Sequence, residues 1–206
     1  MRDDYAYNVF INCPFDRGYR PIFQAIVFTV IDCGFKPLCA MSIRDAGEAR
    51  VAKICRLIRD CGLGVHDLSR TQLDPINRLP RFNMPFELGL FLGAKEYGDP
   101  RQKRKNCLIM DRERHRFQKF ISDIAGQDIA GHESRPEHAI RAVRDWLRDS
   151  APRSRHIPGG AEISARYERF RRELPRLCRT IKVRREELTY VDYTHTISLW
   201  LKMREA

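Results

Sequence analysis

The sequence lacks several features that would place a protein in a familiar functional class. Its 206 residues contain no run of about eighteen apolar residues, the length that a membrane-spanning helix needs. The first residues lack the apolar core of a secretory signal peptide. Neither a Walker loop nor a Gly-x-Gly-x-x-Gly fingerprint occurs, so the common phosphate-binding motifs are absent as well. We therefore expect a cytoplasmic protein with no membrane partner.

Cysteine pairs are also missing. The seven cysteines form no Cys-x-x-Cys motif and no Cys/His group with the spacing of zinc ligands. They are scattered through apolar segments, which is typical of small, reduced core residues in a cytosolic protein. The sequence therefore predicts neither a disulfide framework nor a metal site.

Acidic residues are too few to balance the basic ones, and the formal net charge is +11. Residues 134–206 alone carry seventeen Lys and Arg against ten Asp and Glu. A basic balance favours polyanionic partners: a nucleotide, a nucleic acid or an acidic protein. Arginine dominates this region, and high arginine usage can also follow from genome composition alone.

Short apolar segments alternate with segments of helical periodicity along the first part of the chain. Strands are predicted at residues 7–12, 35–41, 62–66 and 106–110, with a weak fifth element beginning at Ile129. Helices are predicted between them, because apolar residues recur every three or four positions. This alternation predicts an α/β fold with a doubly wound parallel sheet. For its strand order we assume the flavodoxin-like 2-1-3-4-5, which places the second strand, with Pro37, at an edge.

The character of the chain changes after Ser150. Residues 151–160 have the composition of a linker, and two helical segments follow. We predict an α/β domain over residues 1–150 and a small, basic helical appendage over residues 151–206. The appendage is too short to be stable alone. It is expected to dock on the sheet domain, on a second copy in a homo-oligomer, or on a partner protein.

The most unusual segment is a predicted helix in the middle of the chain. Residues 84–94 are all apolar or glycine except Glu87, and a helix that is apolar on all sides is normally buried. We expect Asn83 to cap this helix, and Gly89 and Gly93 to press closely against the sheet. A buried carboxylate must be paired, protonated or facing a cavity. Glu87 is either an acid that the helix dipole favours or a reactive group at the rim of the sheet.

Three loops are expected to meet at one edge of the sheet. In open α/β sheets, ligands bind outside the carboxyl ends of the strands, where the strand order reverses. The loops after the first and third strands, residues 12–17 and 67–70, would converge there with the start of the Glu87 helix. A pocket at this edge is therefore the predicted functional site.

Segments around these three loops resemble the nucleoside 2-deoxyribosyltransferases. The matching segments are residues 10–15 (FINCPF), 64–69 (GVHDLS) and 86–89 (FELG), within a resemblance that covers residues 5–111. The wider group includes the TIR-like domains of bacterial defence systems, which cleave the nicotinamide glycosidic bond of NAD with one glutamate on a comparable helix. The resemblance implies an N-glycosidase that acts on NAD or another nucleotide, and by analogy an effector of bacterial defence.

The chain departs from the transferases at two places. They carry an Asp-Gly-Thr element just before the glutamate, where this chain has residues 81–85 (RFNMP), and a later Gly-Lys-Pro that is missing in register here. These departures argue against a transfer reaction and a preference for 2-deoxyribose more than they argue against cleavage of a glycosidic bond. Asn83 could supply a polar contact in place of the missing aspartate.

The resemblance and the chemistry together imply a set of site residues. Cleavage of a nucleoside C–N bond develops positive charge on the ribose, which one ionised carboxylate stabilises or attacks. That role falls to Glu87, with Asp67 holding the base or a sugar hydroxyl. The substrate-binding residues are expected to be Asn12, Cys13, Pro14, Phe15, Arg44, Ser69, Arg81 and Asn83. Arginines in these loops, which also include Arg17 and Arg70, favour a nucleotide over a nucleoside because they bind phosphate. The nucleotide is a substrate, and no cofactor or metal is required.

Each assignment has a plainer alternative. After a strand, Asp67 is often a turn former, while Phe15 fits a core position and His66 fits the role of a packed histidine. The alternatives for the whole protein are a non-catalytic nucleotide-sensing module and a nucleic-acid-binding protein that uses the basic appendage. The appendage carries four interleaved aromatic residues, Tyr167, Phe170, Tyr190 and Tyr193. They could stack on bases, although their helical spacing favours core packing.

Overall fold

The computed structural model describes residues 4–73 and 78–205, in which five parallel strands form one sheet. The strands are β1 (Asn8–Asn12), β2 (Lys36–Leu38), β3 (Leu63–Asp67), β4 (Asn106–Asp111) and β5 (Ile129–Gly131). Their order across the sheet is β2-β1-β3-β4-β5, and every pairing is parallel. This confirms the predicted flavodoxin-like α/β fold and its strand order.

Six helices cover the two faces of the sheet in these described ranges. They are α1 (Arg20–Asp32), α2 (Arg50–Arg59), α3 (Asn83–Tyr97), α4 (Pro136–Ser150), α5 (Gly160–Thr180) and α6 (Tyr190–Glu205). Successive side chains of a strand point to opposite faces. Val9 and Ile11 of β1 belong to a core with α1, α4, α5 and α6, whereas Phe10 packs with α2 and α3. The first group of helices therefore forms one layer, and α2 and α3 form the other.

The C-terminal helices dock on the sheet domain through α1. The ring of Phe28 in α1 lies 5.3 Å from that of Tyr167 and 5.4 Å from that of Phe170, both in α5. It also lies 6.0 Å from the ring of Trp200 in α6. All four side chains are buried. Docking on the sheet domain was one of the expected arrangements, while the boundary at Ser150 remains a prediction.

The four interleaved aromatic residues of the appendage belong to this core. Tyr167, Phe170, Tyr190 and Tyr193 are between 0% and 8% exposed. Core packing, the alternative that their helical spacing favours, is confirmed. Stacking of bases on these rings would require the core to open.

Helix α3 is buried on one side only. Met84, Glu87, Leu88 and Phe91 are buried, but Phe86 is 54% exposed. The prediction of a helix buried all round was wrong, because the neighbours of α3, the sheet and α2, leave its outer side open to solvent. Apolar as it is, α3 is not a membrane span: none of the helices in the described ranges has the length and apolarity to cross a bilayer.

Two finer predictions for α3 were also wrong. Phe82 rather than Asn83 is the N-cap residue, and within the described residues no side chain caps the helix. Gly89 and Gly93 do not press against the sheet, since an added Cβ at either position would meet no described atom within 4 Å. Glycine spacing on an apolar helix therefore did not identify the face that contacts the sheet.

Replacing Gly89 or Gly93 by alanine is expected to raise the free energy of unfolding by about 0.5–1 kcal/mol at each position. Glycine in a helix interior is less favourable than alanine by this amount, and the new methyl group would enter open space. Denaturant unfolding of the two single variants measures the gain. Gly64→Ala is the comparison and is expected to destabilise the protein, because its Cβ would lie 2.8 Å from both His66 and Phe91. Destabilisation by Gly89→Ala would contradict the open geometry.

Candidate functional site

Neighbouring strands place three polar side chains at the carboxyl edge of the sheet. β1 ends at Asn12 and β3 ends at Asp67, and the parallel register sets Asn12 opposite His66. All three side chains are buried. Buried polar groups need hydrogen-bond partners, so the contacts at this edge define how the site is held.

Asn12 joins β1 to β3 and to the first turn of α3. Its Nδ2 donates to the carbonyl oxygen of Met84 at 2.8 Å and to Nδ1 of His66 at 3.1 Å. The bond to Met84 fixes the start of α3 against the end of β1, and Glu87 follows within the next turn. Asn12 therefore positions the helix that carries Glu87.

His66 is a neutral, packed histidine. Burial, with a smaller effect of the Lys105 charge, lowers the pKa of His66 to about 3. Its ring lies 4.8 Å from that of Phe91 and 5.9 Å from that of Phe10. Because Nδ1 accepts the bond from Asn12, we assign the ring proton to Nε2. The alternative of a packed histidine is confirmed.

Stability is expected to fall in acid because of His66. In an unfolded chain, histidine takes up a proton near pH 6.5, whereas in the folded protein the pKa of His66 is about 3. The contribution of this group to stability is fully present above about pH 6.5 and is lost towards about pH 3, by up to about 1.4 kcal/mol per pH unit. Denaturant unfolding at a series of pH values measures the fall. His66→Gln keeps a hydrogen-bond acceptor for Asn12 and is expected to reduce the fall in stability with decreasing pH. If the slope is unchanged in this variant, the fall is caused by other groups.

Glu87 is a buried carboxylate with a distant counter-ion. Its side chain is 10% exposed, and Oε1 lies 3.9 Å from Nη2 of Arg50, whose own side chain is 64% exposed. Burial raises the pKa of Glu87 above its ordinary value, and the Arg50 charge only partly opposes this effect. Among the described residues, Glu87 makes no closer ion pair. A perturbed carboxylate at the ligand-binding edge of an α/β sheet is a candidate catalytic group.

Asp67 is held in a buried cluster with Ser69 and His132. Its Oδ1 accepts a hydrogen bond from the Ser69 N–H at 2.8 Å, the bond of a turn former. Its Oδ2 lies 3.0 Å from Nε2 of His132, which is also 2.7 Å from Oγ of Ser69. Nδ1 of His132 accepts the Ser134 N–H at 3.0 Å, and on this basis we assign the ring hydrogen to Nε2. The Ser69 bond is the contact that the turn-former alternative predicts, whereas the contact with His132 was not predicted.

His132 was not identified from the sequence. It follows β5 directly, and β5 is only three residues long, too short to give a clear strand pattern. The available signal was a polar residue just after a strand, the same signal that marks Asp111 at the end of β4. Asp111 is neutralised by Arg116 at 2.7 Å, although burial still raises the pKa of Asp111.

Cys13 and Pro14 lie on the inside of this edge and are buried. Burial raises the pKa of the Cys13 thiol well above its ordinary value, and the negative charges of Asp67 and Glu87 add to the rise. The thiol is therefore protonated at neutral pH.

Four other predicted site residues are exposed: Phe15, Arg44, Arg81 and Asn83. Phe15 lies edge-on to Phe23 of α1, with ring centroids 5.4 Å apart. It therefore belongs to the α1 side of the sheet, whereas Glu87 belongs to the α3 side. Of the loop arginines, Arg70 pairs with Asp16 at 3.4 Å.

No protein-family model, curated protein or solved structure matches the chain. In the part of the chain that the structure describes, no three His, Cys, Asp or Glu side chains are grouped so as to hold a metal ion. The site offers one buried, weakly paired carboxylate on Glu87 and a second on Asp67 that is bonded within the protein.

Proposed function

We propose that the protein is an N-glycosidase that cleaves the glycosidic C–N bond of NAD or another nucleotide, with Glu87 as the essential group. The proposal rests on the burial, the position and the ion pairing of Glu87. Its carboxylate is mostly buried near the start of α3, at the edge where flavodoxin-like sheets bind ligands, and its ion-pair partner is 3.9 Å away. The resemblance of three segments to TIR-like and deoxyribosyltransferase-like proteins supports the same chemistry.

Glu87 would act on the charge that the reaction creates. The base leaves with the electron pair of the C–N bond, and positive charge develops on the ribose ring. The carboxylate would stabilise this charge or bond to the anomeric carbon, and a water molecule would complete the hydrolysis. In a site with little water, its field is weakly screened and therefore strong. The amino-terminal turns of α3 favour the ionised form, which burial alone disfavours.

A nucleotide-sensing module without catalysis is the second candidate. The closed cluster around Asp67 favours it, because the residue expected to hold the base or a sugar hydroxyl is fully buried. Its carboxylate contacts Ser69 and His132 instead. Tight nucleotide binding in calorimetry with no product formed would identify this function.

The test is to incubate the purified protein with NAD and a panel of nucleotides and to follow the free base by chromatography. Release that requires Glu87 would support the proposal. No release from any nucleotide, or equal release by Glu87→Gln, would remove it. The role as a defence effector is an analogy between folds, and NAD levels in cells that express the protein or Glu87→Gln test it separately.

Glu87→Gln is expected to stabilise the folded protein at neutral pH. Burial raises the pKa of Glu87, so ionisation costs more in the folded than in the unfolded state. This cost is fully present above the raised pKa and disappears below the ordinary pKa, where both states are protonated. We expect Tm to be higher than that of the unchanged protein near pH 7 and not to differ near pH 4. A lower Tm near pH 7 would show that the pair with Arg50 outweighs the cost of burial.

A further inference from the structure

A cleft lies between the loop after β1 and the appendage. It consists of a cavity of about 440 Å³ and a second of about 360 Å³. The two cavities adjoin, because they share four lining residues: Arg17, Arg20, Gln24 and Glu186. Glu87 lines neither cavity, and it belongs to α3, in the layer opposite α1. A ligand in this cleft is therefore not the molecule that Glu87 would cleave.

The larger cavity of the cleft has aromatic side chains in its wall. Phe15 and Phe23 lie edge-on at 5.4 Å, and Phe23 lies 6.0 Å from Tyr190 of α6. Phe15 is 40% exposed, so part of its ring is open to the cleft. An aromatic ring that is partly exposed in this way can bind a planar ring by stacking.

The smaller cavity of the cleft is basic. Four arginines line it: Arg17 from the loop before α1, Arg20 from the start of α1, Arg171 from α5, and Arg185 from the turn before α6. All four residues are exposed. Segments that are far apart in the chain thus bring four guanidinium groups to one place. Their mutual repulsion is relieved when an anion binds between them.

Most of this charge is not neutralised within the protein. Among the described residues, Arg17, Arg20 and Arg185 form no ion pair, while Arg171 pairs with Glu168 at 2.9 Å. The carboxylate that lines the cleft is that of Glu186. Guanidinium groups bind phosphate oxygens through parallel hydrogen bonds, so the three unpaired arginines fit a ligand with more than one phosphate.

We propose that this cleft binds a nucleotide with at least two phosphates, as a ligand distinct from the substrate of Glu87. The base would stack on Phe15, and the phosphates would bridge Arg17 and Arg20 to Arg185 of the appendage. Glu186 is placed to accept a hydrogen bond from a ribose hydroxyl. The volume of the cleft is within the range of small-molecule sites, about 300–1,000 Å³. Because its walls come from both parts of the chain, the ligand holds the appendage against the loop after β1.

Calorimetric titration of ADP into full-length Glu87→Gln protein tests the proposal, since this variant does not consume the ligand. Arg20→Glu and Arg185→Glu, added singly, are each expected to weaken ADP binding by at least about tenfold, as the loss of a charge-assisted hydrogen bond does. Arg184→Glu is the matched control. Arg184 is the exposed neighbour of Arg185, pairs with Glu187 and lines neither cavity. It is expected to leave binding nearly unchanged.

Two partial ligands test the two halves of the cleft. Adenosine, which lacks phosphates, and pyrophosphate, which lacks a ring, are each expected to bind at least about tenfold more weakly than ADP. Phe15→Ser is expected to weaken ADP binding but not pyrophosphate binding.

Failure to bind ADP, or equal binding by Arg185→Glu and Arg184→Glu, would overturn the proposal. A single-stranded oligonucleotide that binds more tightly than ADP and displaces it would also overturn it, in favour of a nucleic-acid site. All titrations use protein without the Glu87 carboxylate, so their failure leaves the N-glycosidase proposal standing, and the failure of that proposal leaves these results unaffected.

Discussion

Glu87→Gln is expected to lower kcat for glycosidic cleavage by at least about 10³-fold. Glutamine keeps the size of the side chain, but it carries no charge to stabilise the developing cation and cannot bond to the anomeric carbon. An interaction made only in the transition state changes kcat and leaves KM nearly constant. Initial rates of base release over a range of nucleotide concentrations give both constants.

Glu96→Gln is the matched control for Glu87→Gln. Glu96 lies on the same helix and is exposed, so its loss should leave kcat nearly unchanged. Equal losses in the two variants would show that the effect is not specific to the buried carboxylate.

The dependence of activity on pH is an independent test of the role of Glu87. Because burial raises the pKa of Glu87, activity is expected to fall in acid at a pH above the ordinary range of a glutamate carboxyl group.

Trp200→Ala is expected to lower the free energy of unfolding by about 3–5 kcal/mol, the usual cost of truncating a buried tryptophan. Trp200 is 1% exposed, and its ring lies 6.0 Å from that of Phe28 and 5.6 Å from that of Phe170. Its Nε1 also donates to the Glu173 carboxylate at 2.9 Å. The truncation would leave a cavity between α1, α5 and α6. Denaturant unfolding followed by circular dichroism measures the loss.

Leu199→Ala is the control for Trp200→Ala. Leu199 is the preceding residue and is 38% exposed, so its truncation is expected to cost much less. Unfolding of α5 and α6 in a separate first step, with the sheet domain left folded, would contradict a shared core and would support an independent appendage over residues 151–206. Unfolding in a single step would mean that the appendage and the sheet domain share one core.

Deleting the appendage would then expose Phe28 and destabilise the sheet domain. A test of nucleic-acid binding should therefore reverse charges in the full chain and not delete residues 151–206.

The sheet was predictable because its pattern is local. Each strand is a short apolar run, each helix has its own period, and polar residues such as Asn12 and Asp67 end the strands where expected. These features lie within a few residues of one another in sequence. Parallel connectivity follows from the alternation of strands and helices, because a parallel crossover needs an intervening helix. The strand order does not follow from it, because other doubly wound orders have the same alternation.

Contacts between distant segments were not predictable. The sequence shows that α3 is apolar all round, but not that its neighbours leave Phe86 exposed. It shows an aspartate at the end of β3, but Ser69 and His132, which meet beside it, are 63 positions apart. The cleft likewise depends on Arg20 and Arg185, whose proximity follows from the docking of α6 on α1. Residues of this kind, distant in sequence, come together only in the folded structure.

The packing of α6 on α1 also has a consequence for synthesis. α1 ends at Asp32 and α6 begins at Tyr190, so roughly 160 residues are translated between them. At about 5–20 residues per second, the apolar surface of α1 leaves the ribosome roughly 8–32 s before the helix that covers it. During that interval the ring of Phe28 lacks its contact with Trp200, and until α5 is made it also lacks those with Tyr167 and Phe170. An apolar surface left open in this way is the kind that chaperones bind.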